Sequence, residues 1–248
     1  MARPADLDLP WTRARAASRA RELLICGVLG PLMDLYTRRR VVGQERLDDL
    51  TGPVVFVANH NSHMDTPVIL RALPGRWRRR TAVAAATDYF YDKLRKALAV
   101  SLAFGTVPLD RNSGAGVGPG QTGHLDRLIG DGDSLLFFPE GTRSRDGRVG
   151  RLRTGAALLA AEHHLPIVPI YVSGTREAMP RGHRWMVFKA GRPGPRHLLE
   201  IRFGKPIAPR AGERPSEVME RVQLFLAECG AETEREPDAE YAHRCQPA

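Results

Sequence analysis

Pro53-Val54-Val55-Phe56-Val57-Ala58, followed by Asn59-His60-Asn61-Ser62-His63-Met64-Asp65, is the stretch from which the fold is read. An uncharged run rich in β-branched and aromatic side chains predicts a strand buried on both faces. The residues after it turn polar. Ser62 with Asp65 three positions on resembles a capping box, which predicts a helix from about His63 to Ala72. A strand that ends in a polar cluster and opens into a helix is where α/β proteins place their ligands.

His60 and Asp65 are five residues apart. In one continuous helix that spacing would point them about 140° apart. A helix beginning between them removes the conflict: the carboxylate can reach back to one imidazole nitrogen and leave the other facing a hydroxyl. Such a pair is a base unit, in which the carboxylate orients the ring and stabilises the imidazolium formed on proton abstraction. The same residues also fit a capped helix start carrying a surface histidine. A metal cluster of His60, His63 and Asp65 is a third reading, but neither cysteine nor HExxH-type spacing supports it.

Short apolar runs and helical patterns alternate on either side. Strands are predicted at residues 82–86, 106–109, 134–138, 167–172 and 198–203. Helices are predicted at 89–103, 121–129, 154–163 and 215–228, with 113–120 as a Gly-rich loop. This alternation predicts an α/β fold, a mixed, largely parallel central sheet flanked by helices. Upstream, Trp11 to about Arg40 reads as helix kinked near Pro31, basic at first (Arg13, Arg15, Arg19, Arg21) and then apolar (Leu23 to Leu35). That order fits an amphipathic membrane-contacting segment, and equally a packed helix with a solvated end. The expected organisation is an N-terminal helical segment (1–40), a main domain (41–230) and a frayed polar tail (231–248).

The chain's 248 residues suffice for one domain with a sizeable core. Lys plus Arg number 37 against 28 Asp plus Glu, a net charge of +9, so the surface attracts polyanions. Nucleic acid is the poorer fit, because no DNA or RNA motif is recognisable and aromatics are only 6%. Cys26, Cys229 and Cys245 are an odd number without short-range pairing, which suits a reducing compartment. No apolar h-region opens the chain, and no run reaches the roughly 18 apolar residues of a spanning helix. The expected location is the cytoplasmic face of the membrane, with peripheral attachment.

Two further stretches lie at predicted strands. Gly105-Thr106-Val107-Pro108-Leu109-Asp110-Arg111 ends on a cation that can bind phosphate bidentately. In Phe137-Phe138-Pro139-Glu140-Gly141-Thr142-Arg143-Ser144-Arg145, Pro139 and Gly141 shape a turn that exposes Glu140, Thr142 and Arg143. Each arginine alone fits phosphate recognition or plain surface solubility. Taken in order, these stretches resemble the motifs of the glycerol-phosphate and lysophosphatidate acyltransferases. That family carries a His, any four residues, then Asp (His60 to Asp65), and next a Gly-to-Arg segment (Gly105 to Arg111). A Phe-Pro-Glu-Gly-Thr-Arg-Ser string follows, matched in full by Phe138 to Ser144, and then a hydrophobic strand containing proline (Leu165 to Ile170).

The resemblance implies that His60 is the general base for an acceptor hydroxyl, that Asp65 orients it, and that the hydroxyl attacks an acyl thioester directly. The absence of a G-x-S-x-G elbow agrees with a reaction lacking a covalent acyl-enzyme. Arg111 and Arg143 are then the acceptor's phosphate ligands, with Glu140, Gly141 and Thr142 shaping their pocket. Neither metal nor cofactor is implied. The donor is acyl-CoA or acyl carrier protein, and the acceptor a lysophosphatidate-type lipid of phospholipid biosynthesis. One departure bears on the headgroup: many members carry a Lys after the second strand, where this chain reads Ala86-Thr87-Asp88-Tyr89-Phe90-Tyr91. Another lysophospholipid or a lyso-aminolipid is therefore an alternative acceptor. After the third motif, a common Phe-Lys-Thr-Gly pattern appears as Leu152-Arg153-Thr154-Gly155, which keeps a cation. A non-catalytic lipid- or nucleic-acid-binding protein is the reading of another class, and it would not need both His60 and Asp65. Arg76-Trp77-Arg78-Arg79-Arg80 and the stretch from Tyr89 to Phe104 are expected to join the N-terminal segment at the membrane.

Overall fold

The computed structural model describes residues 8–86, 94–109, 123–183 and 185–232. Among them seven strands form one sheet: β1 Thr37–Val42, β2 Val55–Ala58, β3 Thr81–Ala86, β4 Thr106–Leu109, β5 Ser134–Phe137, β6 Ile167–Ser173 and β7 His197–Phe203. Their order across the sheet is β1-β7-β6-β2-β5-β3-β4. Strands β2 to β6 run parallel, β7 is antiparallel to β6, and β1 lies parallel beside β7. The mixed, largely parallel sheet expected from the sequence is the one that forms. Its consequence is that five strands deliver their carboxyl ends to one edge.

β2 lies between β5 and β6 and is buried throughout. Phe56 and Ala58 point into one helical layer, Val55 and Val57 into the other, so both faces of the strand must be apolar. The first layer holds Ile25 and Met33 of the N-terminal helices with Val68, Ile69 and Leu70 of helix Asp65–Ala72. The second is built from helices Gly123–Gly130, Gly155–Glu162 and Pro215–Glu228, through residues such as Leu125, Leu159 and Val222.

The N-terminal expectation needs correction. A 3-10 turn (Pro10–Arg13), an α-helix (Arg15–Glu22), a π-helical segment (Leu23–Leu29) and a second α-helix (Gly30–Tyr36) succeed one another. The irregularity precedes Pro31, which sits at the start of the second α-helix, where proline is tolerated. Residues 37–40 are not helical. They open β1, whose exposed Arg38 and Arg40 alternate with more buried Thr37 and Arg39. Three arginines hid the strand from a reading based on apolar alternation, although charge is a common guard for an edge strand. A boundary at residue 40 thus falls inside β1, and Ile25 and Met33 belong to the main core.

Buried Arg21 ties this N-terminal unit to helix Leu94–Phe104. It donates to Thr12 O (2.6 Å), Leu102 O (3.1 Å) and Ser101 O (3.2 Å). Burial, reinforced by Arg13, pulls its pKa down to about 10, so it keeps its charge at neutral pH beside the helix's carboxyl end. Gly105 follows that helix at φ +67°, and a Cβ there would stand 3.0 Å from the guanidinium. The glycine that opens the Gly105–Arg111 motif is therefore needed for this close approach.

The run from Arg76 to Arg80 also departs from expectation. It folds around the short helix Gly75–Arg78, with Trp77 only 6% exposed and packed edge-on against Phe56. Arg78 turns inward to Leu73 O (2.9 Å), Glu22 and the Cys26 thiol, and Arg79 pairs with Glu22 at 3.1 Å. These side chains are engaged within the molecule. The residues predicted as a Gly-rich loop (113–120), the segment 89–93, and residues 233–248 of the predicted tail lie outside the described residues.

Candidate active site

The site lies where β2 and β5 end. Asn59, fully enclosed, donates through Nδ2 to Val172 O and accepts from Val172 N–H through Oδ1, both at 2.8 Å. This side chain continues the β2–β6 ladder past its last residue and fixes the chain entering His60. The His60 peptide is then held on both sides by the Phe138–Ser144 turn. Its N–H donates to Glu140 Oε1 at 2.7 Å, and its carbonyl accepts from Ser144 N–H at 2.8 Å. The imidazole stacks on Phe138 with centroids 4.2 Å apart and planes at 27°.

His60 Nδ1 meets Asp65 Oδ2 at 2.8 Å. The same oxygen accepts the main-chain N–H groups of Asn61 (2.6 Å) and Ser62 (2.8 Å), while Oδ1 accepts the Thr175 hydroxyl at 2.5 Å. A carboxylate only accepts, so Nδ1 is the donor in this contact, and the neutral imidazole then carries its lone pair on Nε2. The Asp65 side chain is 0% exposed and that of His60 is 17% exposed. A sealed carboxylate thus backs a ring that retains access to solvent.

The predicted contact between His60 and Asp65 forms, but by a different helix start. Helix Asp65–Ala72 begins two residues later than the sequence suggests, after a turn closed by Asp65 N–H donating to Ser62 O at 3.1 Å. Ser62 Oγ does not cap that N–H. It donates to Met179 O (2.9 Å) and accepts from Met64 N–H (3.3 Å). Only the carboxylate half of the expected capping box is present, and it serves the dyad loop.

Glu140, expected at the substrate pocket, spans main-chain groups: Oε1 takes His60 N–H and Oε2 takes Gly150 N–H at 3.1 Å. Gly141 adopts φ +71° with the Arg153 guanidinium over it, 3.1 Å from where a Cβ would stand. Thr142 is exposed and Arg143 half-buried at the same turn. Arg111 lies outside the described residues. Among the described residues no three His, Cys, Asp or Glu side chains assemble into a metal-binding group.

Three contributors escaped the sequence reading: Asn59, Arg153 as a cover for the turn, and Thr175. The signal for Thr175 was there, since Gly174-Thr175 directly follows strand β6 at the same carboxyl edge.

An imidazole fixed through one nitrogen on a buried carboxylate, at the carboxyl edge of an α/β sheet, is an arrangement chemically able to abstract a proton. Residues 38–173, more than half of the chain, match the family model for acyltransferases, and the chain belongs to that family. It is 34% identical over 150 residues to the chloroplastic 1-acyl-sn-glycerol-3-phosphate acyltransferase BAT2 of Brassica napus, covering 59% of this chain and 40% of that protein. A 1-acyl-sn-glycerol-3-phosphate acyltransferase of Chlamydomonas reinhardtii is 30% identical over 182 residues, or 72% of this chain and half of that one. This chain thus matches half or less of each relative's length. In fold it resembles the crystal structure of the 1-acyl-sn-glycerophosphate acyltransferase PlsC from Thermotoga maritima. The TM-score is 0.61 at 22% identity, over 88% of this chain and 84% of the other.

Proposed function

We propose that this chain moves a fatty acyl group from acyl-CoA or acyl carrier protein to the free hydroxyl of a lysophosphatidate-type acceptor, at the cytoplasmic face of a membrane. One observation carries the reading: His60 Nδ1 is held by buried Asp65 while the ring stays partly open to solvent. Nε2 takes the proton of the acceptor hydroxyl. The oxygen attacks the thioester carbonyl, the C–O bond forms and the C–S bond breaks. The imidazolium, stabilised by Asp65, returns its proton to the leaving thiolate. No group on the enzyme is acylated. Family membership and the relatives' names support the substrate class, and the half-buried Arg143, on the same turn that holds the His60 peptide, supports a phosphate-bearing acceptor.

The test is a panel of lysolipids incubated with purified protein and labelled acyl-CoA. Acyl transfer to lysophosphatidate is expected, with Arg143→Ala raising the KM for that acceptor roughly tenfold, about one charge-assisted hydrogen bond. Product from another lysophospholipid or a lyso-aminolipid alone would move the assignment to the alternative acceptor. No acyl product from any lysolipid would refute the function.

Peripheral membrane contact belongs to the same proposal. Among the described residues no helix is long and apolar enough to cross a membrane. Leu23, Val28 and Leu35 are 71%, 56% and 61% exposed on the N-terminal helices, with Arg15 and Arg19 exposed nearby. Apolar side chains presented beside cations suit a headgroup boundary. In liposome flotation the protein is expected to rise with anionic vesicles at low salt, and Leu23→Asp/Val28→Asp to lose at least half of that binding. Absence of flotation at every salt concentration would sink the idea.

A further inference from the structure

Thr175 stands outside every motif that carried the functional reading. Its side chain is nevertheless fully buried and its hydroxyl donates to Asp65 across 110 positions of sequence. The two oxygens of the carboxylate have separate tasks. Oδ2 serves His60 and two main-chain N–H groups, and Oδ1 serves Thr175. The torsion that turns a carboxylate about its Cβ–Cγ bond is intrinsically broad, so its plane must be set by its partners. Three donors converge on one oxygen and leave rotation about that point open. The fourth, at the other oxygen, closes it.

The backbone that presents Thr175 is built for close approach. Gly174 has φ +81°, and a Cβ on it would fall 1.9 Å from Leu198 O of β7, a contact only glycine avoids. The short helix Thr175–Ala178 starts there and, with Met179 behind it, grips both functional loops. Met179 O accepts from Ser62 Oγ at 2.9 Å, and Arg176 donates to Arg145 O at 2.8 Å. Thr175 is thus anchored against the parts it would align.

We infer that Thr175 is a positioning residue for acyl transfer: its hydroxyl sets the plane of the Asp65 carboxylate and, through it, the aim of His60 Nε2 at the acceptor hydroxyl. The inference rests on the base role proposed for His60. Thr175 exchanges no proton in the reaction; it donates one hydrogen bond throughout.

The experiment is a kinetic comparison of Thr175→Val and Thr175→Ser with the wild type, with His60→Ala alongside. Valine keeps the shape and removes the hydroxyl. Its kcat is expected to fall roughly 10–100-fold, the scale of a small misalignment, with the acceptor KM within about twofold. Serine restores most of the loss. Adding Thr175→Val to Asp65→Asn is expected to cost less than threefold more, because the effect travels through the carboxylate. Should the valine variant not fold, Thr175→Ala is read by the same criteria. Wild-type kcat in the variant lacking the hydroxyl, or an undiminished loss in the Asp65→Asn background, overturns the inference. If His60→Ala abolishes transfer while Thr175→Val keeps wild-type kcat, only the role of Thr175 fails. If the wild type transfers nothing, the proposed function itself fails.

Discussion

Replacing His60 by Ala is expected to lower kcat for acyl transfer by roughly 10²–10⁴-fold, the range a positioned general base supplies. Structural damage should be small, and the reason is local. The contacts His60 makes to Glu140 and Ser144 use its main-chain N–H and carbonyl, which alanine retains. What disappears is the ring stacked on Phe138 and bonded to Asp65. The acceptor KM is expected to stay within about twofold, since removal of a group acting in the transition state lowers kcat rather than ground-state binding. Steady-state kinetics at saturating donor, with a thermal melt of each protein, separates these effects. A His60→Ala enzyme with near-wild-type turnover would remove the base from the mechanism.

Asp65→Asn is expected to cost about 10²–10⁴-fold in kcat, by loss of charge rather than of fold. The geometry makes this a clean substitution. With its carbonyl oxygen in the place of Oδ2, asparagine can still accept from His60, Asn61 and Ser62. Its NH₂ then faces Thr175, whose hydroxyl can turn to accept, because a hydroxyl serves in either role. Each buried partner keeps one hydrogen bond to residue 65 while the negative charge that would stabilise the imidazolium is gone. Asp65→Ala is different: it strips partners from two buried main-chain N–H groups and a buried hydroxyl, and is expected to destabilise by about 3 kcal/mol or more. Denaturant titration should therefore separate the two variants, Asn close to wild type and Ala well below it. A fully active Asp65→Asn enzyme would mean that the carboxylate's charge is not used.

The reach of the sequence depended on how local each determinant is. β2 was legible because burial on both faces leaves a continuous apolar run, and the dyad because both members flank one strand-to-helix turn. β1 was not, because an edge strand can carry Arg38 and Arg40 on its open side and so loses the apolar alternation that marks strands. Trp77 looked like an interfacial aromatic amid cations until tertiary packing placed it against Phe56. Glu140 was recognisable as part of a motif, but its contacts to His60 N–H and Gly150 N–H depend on how two loops meet. Thr175 lies furthest from legibility. Its contact with Asp65 exists only because β6 lies beside β2 in the sheet, so that both strands end at the same edge.

Direct attack by the acceptor, with His60 as base and never as nucleophile, is tested by mixing the protein with labelled acyl-CoA in the absence of lysolipid and quenching on the millisecond scale. Free CoA and protein-bound label should both stay at background until lysophosphatidate is added, when acyl product and CoA appear together in equal amounts. A burst of CoA with label fixed to the protein, chased into product by the later addition of acceptor, would contradict direct transfer.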